Sequence, residues 1–298
     1  MAEERAPANG IEIVYETIGD PSDPPLLLVM GLGTQLIHWD RELCERFAER
    51  GFYVIRFDNR DSGRSTRIEA PVPNLVRAML GFRIEAPYLL DDMAEDAFGL
   101  LDHLGLETAH VAGASMGGMI GQTMAIRRPD RVLSLTSIMS TTGERRAGRP
   151  KLRVWGVLLR RAPREKDAAV EYFVRVFRLI GSKGFPADED RVREHAAEAY
   201  DRGHTPAGTG RQLAAIIASG DRTERLKQLR MPVTVFHGRS DPLIPFRGAR
   251  ATADAIPDAR LVAIPGMGHD LPRQVWPQLV DVVAETAARA GSPQAAGA

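Results

Sequence analysis

Ser115 lies in Gly113-Ala114-Ser115-Met116-Gly117, a G-x-S-x-G pattern that falls after a β-rich run and before a helical one. A serine on such a strand-to-helix turn has its hydroxyl lifted clear of the sheet and the first amides of the helix aimed at the same point, where a developing oxyanion gains from them. The turn strains the backbone, so small residues must flank it, and Gly113 and Gly117 meet that need. Serine is a poor nucleophile at its own pKa. It needs a neutral imidazole to take its proton, and the imidazole needs a carboxylate to hold its tautomer.

The chain order for a serine at such an elbow is serine, acid, histidine. Only His195, His204, His237 and His269 follow Ser115. His195 and His204 fall on polar helical or loop positions and read as solvated surface residues. His237 falls inside an apolar strand-like run and reads as a packed core residue. His269, in Pro265-Gly266-Met267-Gly268-His269, occupies a loop after the last strand from which a side chain reaches a nucleophile, so it is the expected base. The expected acid is Asp241, because Arg239-Ser240-Asp241-Pro242 follows the strand 233–238 at its carboxyl end. Asp270 adjoins the base and is badly placed to approach the imidazole from behind; Asp221, Asp254 and Asp258 read as helix-end or surface residues. For the oxyanion, one amide is that of Met116. The second comes from Met30-Gly31-Leu32-Gly33, with Leu32 the first choice and Gly33 the runner-up.

Elements that position these groups are legible from periodicity. Strands are predicted at 12–16, 26–30, 53–57, 110–114, 132–139, 233–238 and 261–265, several with consecutive apolar residues such as Leu26-Leu27-Leu28-Val29, as strands buried on both faces require. Alternation with amphipathic helices points to a largely parallel sheet covered on both faces. From about 142 to 224 no strand pattern appears. Helical spacing instead groups Trp155, Leu158, Leu159 and Ala162, then Phe173, Val176, Phe177 and Ile180, then Leu213, Ile216, Ile217 and Gly220. A shorter insertion at 71–87 carries Leu75, Met79 and Leu80, which suggest a short helix.

Five motifs in order, Met30-Gly31-Leu32-Gly33, Asp58-Asn59-Arg60-Asp61-Ser62-Gly63-Arg64-Ser65, the serine elbow, Gly238-Arg239-Ser240-Asp241-Pro242 and Gly266-Met267-Gly268-His269, together resemble the α/β-hydrolase superfamily over nearly the whole chain. The first, second and last are similar to those of its serine-esterase branch, in particular the aclacinomycin methylesterase type, which removes a methyl ester from an anthracycline. Many members carry His at the position of Met30 and Gly at that of Asp61. The resemblance implies an α/β fold with a mostly parallel eight-stranded sheet and a helical cap inserted after strand 6. The expected division is a core of 1–141 and 225–290, a cap of 142–224, the insertion 71–87 joining the cap, and a disordered tail at 291–298.

Composition narrows the partners. Acidic and basic residues number 39 each, which argues against a nucleic-acid protein. No run of about eighteen apolar residues is present to insert into a membrane. The single cysteine, Cys44, excludes an internal disulfide and reads as a packed small residue; with the polar start it suggests a cytoplasmic protein. No residue spacing indicates a metal, and no glycine-rich loop meets a phosphate fingerprint, so no cofactor is expected. Arg145, Arg146, Arg149, Lys151, Arg153, Arg160, Arg161, Arg164 and Lys166 make a basic stretch that reads as a solvated helix face.

The expected function is hydrolysis of a small-molecule carboxylic ester, hydrophobic or polyketide-like, through an acyl-enzyme. Dehalogenases and epoxide hydrolases of the superfamily place a carboxylate at the elbow and are disfavoured by Ser115. Cofactor-free perhydrolases of the haloperoxidase type, lactonases and carbon-carbon bond hydrolases share the same three residues, and a non-enzymatic ligand receptor on this fold retains them as a pocket. Oligomeric state is not legible.

Overall fold

The computed structural model describes residues 3–79, 82–148, 150–151, 154, 156 and 162–291. Eight strands, β1 Glu4–Ala8, β2 Ile11–Ile18, β3 Pro25–Val29, β4 Tyr53–Phe57, β5 Ala109–Ala114, β6 Val132–Ile138, β7 Val233–Gly238 and β8 Arg260–Ile264, form one sheet in the order β1-β2-β4-β3-β5-β6-β7-β8. The β1-β2 and β2-β4 pairs are antiparallel; β3-β4 and every pair from β3-β5 to β7-β8 are parallel. The seven strands predicted from the sequence are all present. The eighth, β1, escaped because Glu-Arg-Ala-Pro-Ala buries only Ala6 and Ala8, and because Pro7 lacks a ladder donor, which an edge strand tolerates.

Alternate residues of each strand serve opposite faces. Leu26, Leu28, Val54, Ala112 and Phe236 pack with Leu43, Cys44 and Phe47 of α1 (Arg41–Ala48) and with Leu279, Val282 and Val283 of the last helix, Trp276–Ala290. Leu27, Val29, Ile55, Val111, Leu135 and Val233 pack against the other layer, which includes α3 (Leu90–His103) and α4 (Met116–Arg127); a short α2 (Leu75–Met79) precedes them. Cys44 is buried in the first layer, its thiol pushed up to about 12 by burial, which leaves it inert as a nucleophile.

Between β6 and β7 the described residues form α5 (Lys166–Ile180), α6 (Glu189–Gly203), α7 (Pro206–Ser219) and α8 (Thr223–Leu226); α9 (Phe246–Ala255) follows β7 and α10 (Trp276–Ala290) follows β8. The face grouped around Trp155, Leu158 and Leu159, part of the basic stretch, Leu80, and the tail beyond Gly291 lie outside the described residues. Arg145, Arg146, Lys151, Arg164 and Lys166 are exposed.

On α7 the sequence pattern misidentified the buried face. Leu213, Ile216, Ile217 and Gly220 are only half-buried, whereas Arg211, Gln212, Ala214 and Ala215 are buried. The two polar residues go inside because partners await them on the loop after β4. Arg211 makes a bidentate pair with Asp61 (2.6 and 2.8 Å), and Gln212 donates to the Arg60 carbonyl and the Ser62 hydroxyl. A second buried arginine, Arg202 on α6, pairs with Asp58, which also accepts the amides of Leu36 and Arg64. The 58–65 run is thus a tied loop, as its residue types suggest. At the junction of this helical region with the sheet, the Arg222 amide donates to the Thr142 carbonyl. The Arg222 guanidinium, fully buried, donates to Thr141, Gly220 and Gln122. Burial draws it down to about 10, so it stays charged near neutrality.

His38 meets α5, its ring 5.8 Å from that of Phe173. Burial lowers it from 6.5 to about 4, and in the fold it is neutral. A group depressed in the folded state contributes stability above its unfolded pKa that is lost as pH falls toward the folded one. Urea unfolding of the parent is therefore expected to show a decline between pH 6.5 and 4, with up to about 3 kcal/mol arising here. His38→Gln should flatten that decline, and an undiminished slope in the variant would remove His38 as its source.

Candidate active site

Each candidate side chain leaves the sheet at its carboxyl edge, where parallel α/β sheets open a crevice. Ser115 follows β5 directly and caps α4 with φ 57° and ψ −116°, a left-handed backbone that a non-glycine residue adopts only under constraint. Its amide donates to the Ile138 carbonyl, and the Ser140 hydroxyl donates to its carbonyl. The glycine requirement is steric as well. A Cβ on Gly117 would overlap the Val29 carbonyl, and one on Gly113 the Gly117 carbonyl, so β3, β5 and α4 meet at a spacing that only hydrogen permits.

Ser115 Oγ stands 2.9 Å from His269 Nε2, and His269 Nδ1 stands 2.7 Å from Asp241 Oδ2. The three residues singled out in the sequence are thus brought into one hydrogen-bonded chain. Asp241 is fully buried; its second oxygen accepts the amides of Leu243 and Ile244 (2.8 and 2.9 Å). A carboxylate so held accepts from Nδ1–H, leaving Nε2 unprotonated toward the serine. His269 arrives on the loop after β8, where its amide donates to the Ile180 carbonyl (2.7 Å) and Gly268 donates to the Ser182 hydroxyl (2.8 Å).

None of the competing histidines takes the place of His269, although His237 Nε2 comes within 3.6 Å of Asp241 Oδ2. His237 is buried inside β7, donates Nε2–H to the Ile244 carbonyl, and is held neutral by burial. His195 and His204 are half-buried, not solvated as the sequence suggested. His204 stacks on Tyr200 and bonds the Pro163 carbonyl, and His195 is lowered chiefly by burial. Asp270 takes the Ser182 hydroxyl, while burial raises its carboxyl.

Gly31 lies against Ser115, a Cβ built on it falling 3.2 Å from the serine Cβ. The Met116 amide, first in α4, has no partner within its helix. Of the two amides weighed after β3, that of Gly33 is already spent on Gln212 Oε1 at 2.8 Å. That bond takes Gly33 out of the choice and keeps the Leu32 amide as the candidate. Gln212 is the residue that sequence reasoning missed, and only its burial next to a loop more than a hundred residues earlier reveals it. Among the described residues no three His, Cys, Asp or Glu side chains converge as a metal site would, and no helix is long and apolar enough to cross a membrane.

Comparison with known proteins agrees with this fold. Residues 24–272 match the family model described as the alpha/beta hydrolase fold. The chain is 33% identical to the rhodomycin D methylesterase DauP of Streptomyces sp. over 290 residues, covering 90% of this chain and 92% of the relative. It is 33% identical to the rhodomycin D methylesterase DnrP of Streptomyces peucetius over 291 residues, with the same coverage of 90% and 92%. Among solved structures, the enol-lactonase of Burkholderia xenovorans superimposes with a TM-score of 0.73 at 21% identity, covering 96% of this chain and all of that one. With its sheet order, its serine turn and these relatives in agreement, the chain belongs to the α/β-hydrolase fold family.

Proposed function

We propose that the chain hydrolyses a carboxylic ester through an acyl-enzyme, with Ser115 as nucleophile, His269 as general base and then acid, and Asp241 as the group that orients and stabilises the imidazolium. The observation that carries this reading is the continuous run from Ser115 Oγ to Asp241 Oδ2 at the open edge of the sheet. Ser115 attacks the carbonyl while His269 Nε2 takes its proton. The tetrahedral oxyanion lies against the amides of Leu32 and Met116. Collapse expels the alcohol, protonated by His269, and a water activated by the same nitrogen releases the acid.

The substrate class is a small, hydrophobic methyl or alkyl ester of the polyketide kind, supported by the methylesterases at 33% identity. Residues 142–224 act as the cap that selects it, joined by 71–87, where Val72 packs on Gly210 of α7. The half-buried apolar stripe Phe173, Val176, Phe177 and Ile180 suits such a ligand. A cytoplasmic location is in keeping with the single buried cysteine.

A panel of aryl acetates, alkyl esters of increasing acyl length, aromatic polyketide methyl esters, lactones and a peracid assay tests this. Methyl esters of fused-ring acids are expected to give the highest kcat/KM. Preferential turnover of lactones, or peracid formation without ester turnover, would reassign the chemistry within the fold. Labelling of Ser115 by an organophosphate with no product from any ester would instead point to a receptor.

A further inference from the structure

Two consecutive peptide planes decide where the Leu32 amide points. In the Gly31–Leu32 plane the carbonyl accepts the Thr34 hydroxyl at 2.8 Å, and the amide of a trans peptide points the opposite way. In the Leu32–Gly33 plane the amide is taken by Gln212 Oε1 at 2.8 Å. Gly33 itself sits at φ 67°, and a Cβ there would press into Thr209 Oγ1 and Cγ2, one turn before Gln212 on α7. The Gln212 side chain is fully buried and its amide is used at both ends, Nε2 donating to Arg60 O at 2.7 Å and Ser62 Oγ at 2.9 Å. Its acceptor end is therefore aimed by a loop that is itself tied to the sheet.

We propose that Gln212 is a positioning residue for the oxyanion hole, holding the Gly33 amide so that the Leu32 amide faces the serine, and that the hole is complete only while α7 is docked. This rests on the reading of Leu32 as an oxyanion donor. Two roles follow from one contact. Gln212 removes the Gly33 amide as a competing donor, and it makes acylation depend on the position of the same helical region that selects substrate. A hydrogen bond made only to the tetrahedral state raises kcat, whereas uniform binding alters KM alone. Misaiming such a donor therefore acts on the first and spares the second.

The test compares the parent with Gln212→Met, similar in length but unable to accept from Gly33, and with Gln212→Glu, which keeps an acceptor. Loss of a whole oxyanion donor costs about 100- to 1,000-fold, so misalignment by Gln212→Met is expected to lower kcat about 10- to 100-fold with KM nearly unchanged. Affinity for an alkyl boronic acid, which forms a tetrahedral adduct on Ser115, should fall by a similar factor while affinity for the product acid is kept. Gln212→Glu keeps the acceptor for Gly33 but loses the donor to the Arg60 carbonyl, so it should recover only part of both, and more than Gln212→Met. A folded Gln212→Met protein with parental kcat and boronate affinity overturns the proposal, as does an equal loss of boronate and product affinity. Should that variant not fold, Gln212→Asn, which withdraws the amide by one methylene, is read against the same outcomes. An inactive parent, or a Ser115→Ala protein as active as the parent, would instead overturn the underlying site.

Discussion

Replacing Ser115 with alanine is expected to abolish ester turnover to within a small residue, a fall in kcat of roughly four to six orders of magnitude by analogy with deletion of other serine nucleophiles. The fold should be retained. Among the described residues the Ser115 side chain hydrogen-bonds to His269 alone, while the amide and carbonyl that hold the turn bond to Ile138, Ser140 and Met119. Circular dichroism and urea unfolding should therefore show a stability within about 1 kcal/mol of the parent, as substitutions that leave burial unchanged typically do. Asp241→Asn is the informative companion. One oxygen of Asp241 accepts from His269 and the other from two backbone amides, so an asparagine must turn its NH2 toward one of these donors. Either choice sets donor against donor. The outcome is the wrong imidazole tautomer or a displaced loop, and a loss near four orders in kcat is expected. Parental turnover of aryl acetates by Ser115→Ala would end the assignment of that residue as nucleophile.

The grouping of Ser115, Asp241 and His269 was legible in the sequence because it depends on short segments whose meaning is local. A glycine-flanked serine, a histidine in a glycine loop and an aspartate after an apolar strand each declare a conformation. The parallel sheet then brings the ends of β5, β7 and β8 to one edge regardless of what separates them. Strands 53–57 and 233–238 were read to the residue, since both are dense in β-branched and aromatic residues and are bounded by turn-forming ones. What stayed hidden depends on distant partners. Arg202, Arg211, Gln212 and Arg222 look like residues of a solvated helix face, and periodicity accordingly assigned the inside of α7 to Leu213, Ile216 and Ile217. A polar side chain enters the interior only where its counterpart is already placed, and that placement is a property of the tertiary fold. His195 and His204 were misjudged for the same reason. No local signal distinguishes a histidine on a free helix face from one on a helix laid against another.

Asp61 gives the largest expected change in stability. Many relatives by motif carry glycine here, and the backbone explains the preference, since φ is 66° in the left-handed region. Asp61→Gly would relieve roughly 1 kcal/mol of that strain. It would also remove a buried carboxylate that accepts four hydrogen bonds from three residues. Arg211 makes its bidentate pair with it, the Tyr88 hydroxyl donates to it at 2.7 Å, and the Ile68 amide donates at 2.9 Å. The hydrogen bonds to Asp61 hold the Arg211 guanidinium above its ordinary pKa, so on losing the carboxylate it stays charged in a nearly dry site. An uncompensated buried charge costs about 3–5 kcal/mol, well beyond the strain relieved, and a net loss of about 3 kcal/mol is expected in urea unfolding at neutral pH. Adding Arg211→Met removes the stranded charge and should restore about half of the loss, the remainder reflecting the Tyr88, Ile68 and Ala70 groups left without their partners. An Asp61→Gly protein as stable as the parent would show that the pair contributes nothing beyond the strain it requires. Because Arg211 precedes Gln212 on α7, the same substitution loosens the helix whose Gln212 accepts from the Gly33 amide. Asp61→Gly should therefore lower kcat for ester hydrolysis by more than it raises KM, in the same sense as Gln212→Met but by a smaller factor.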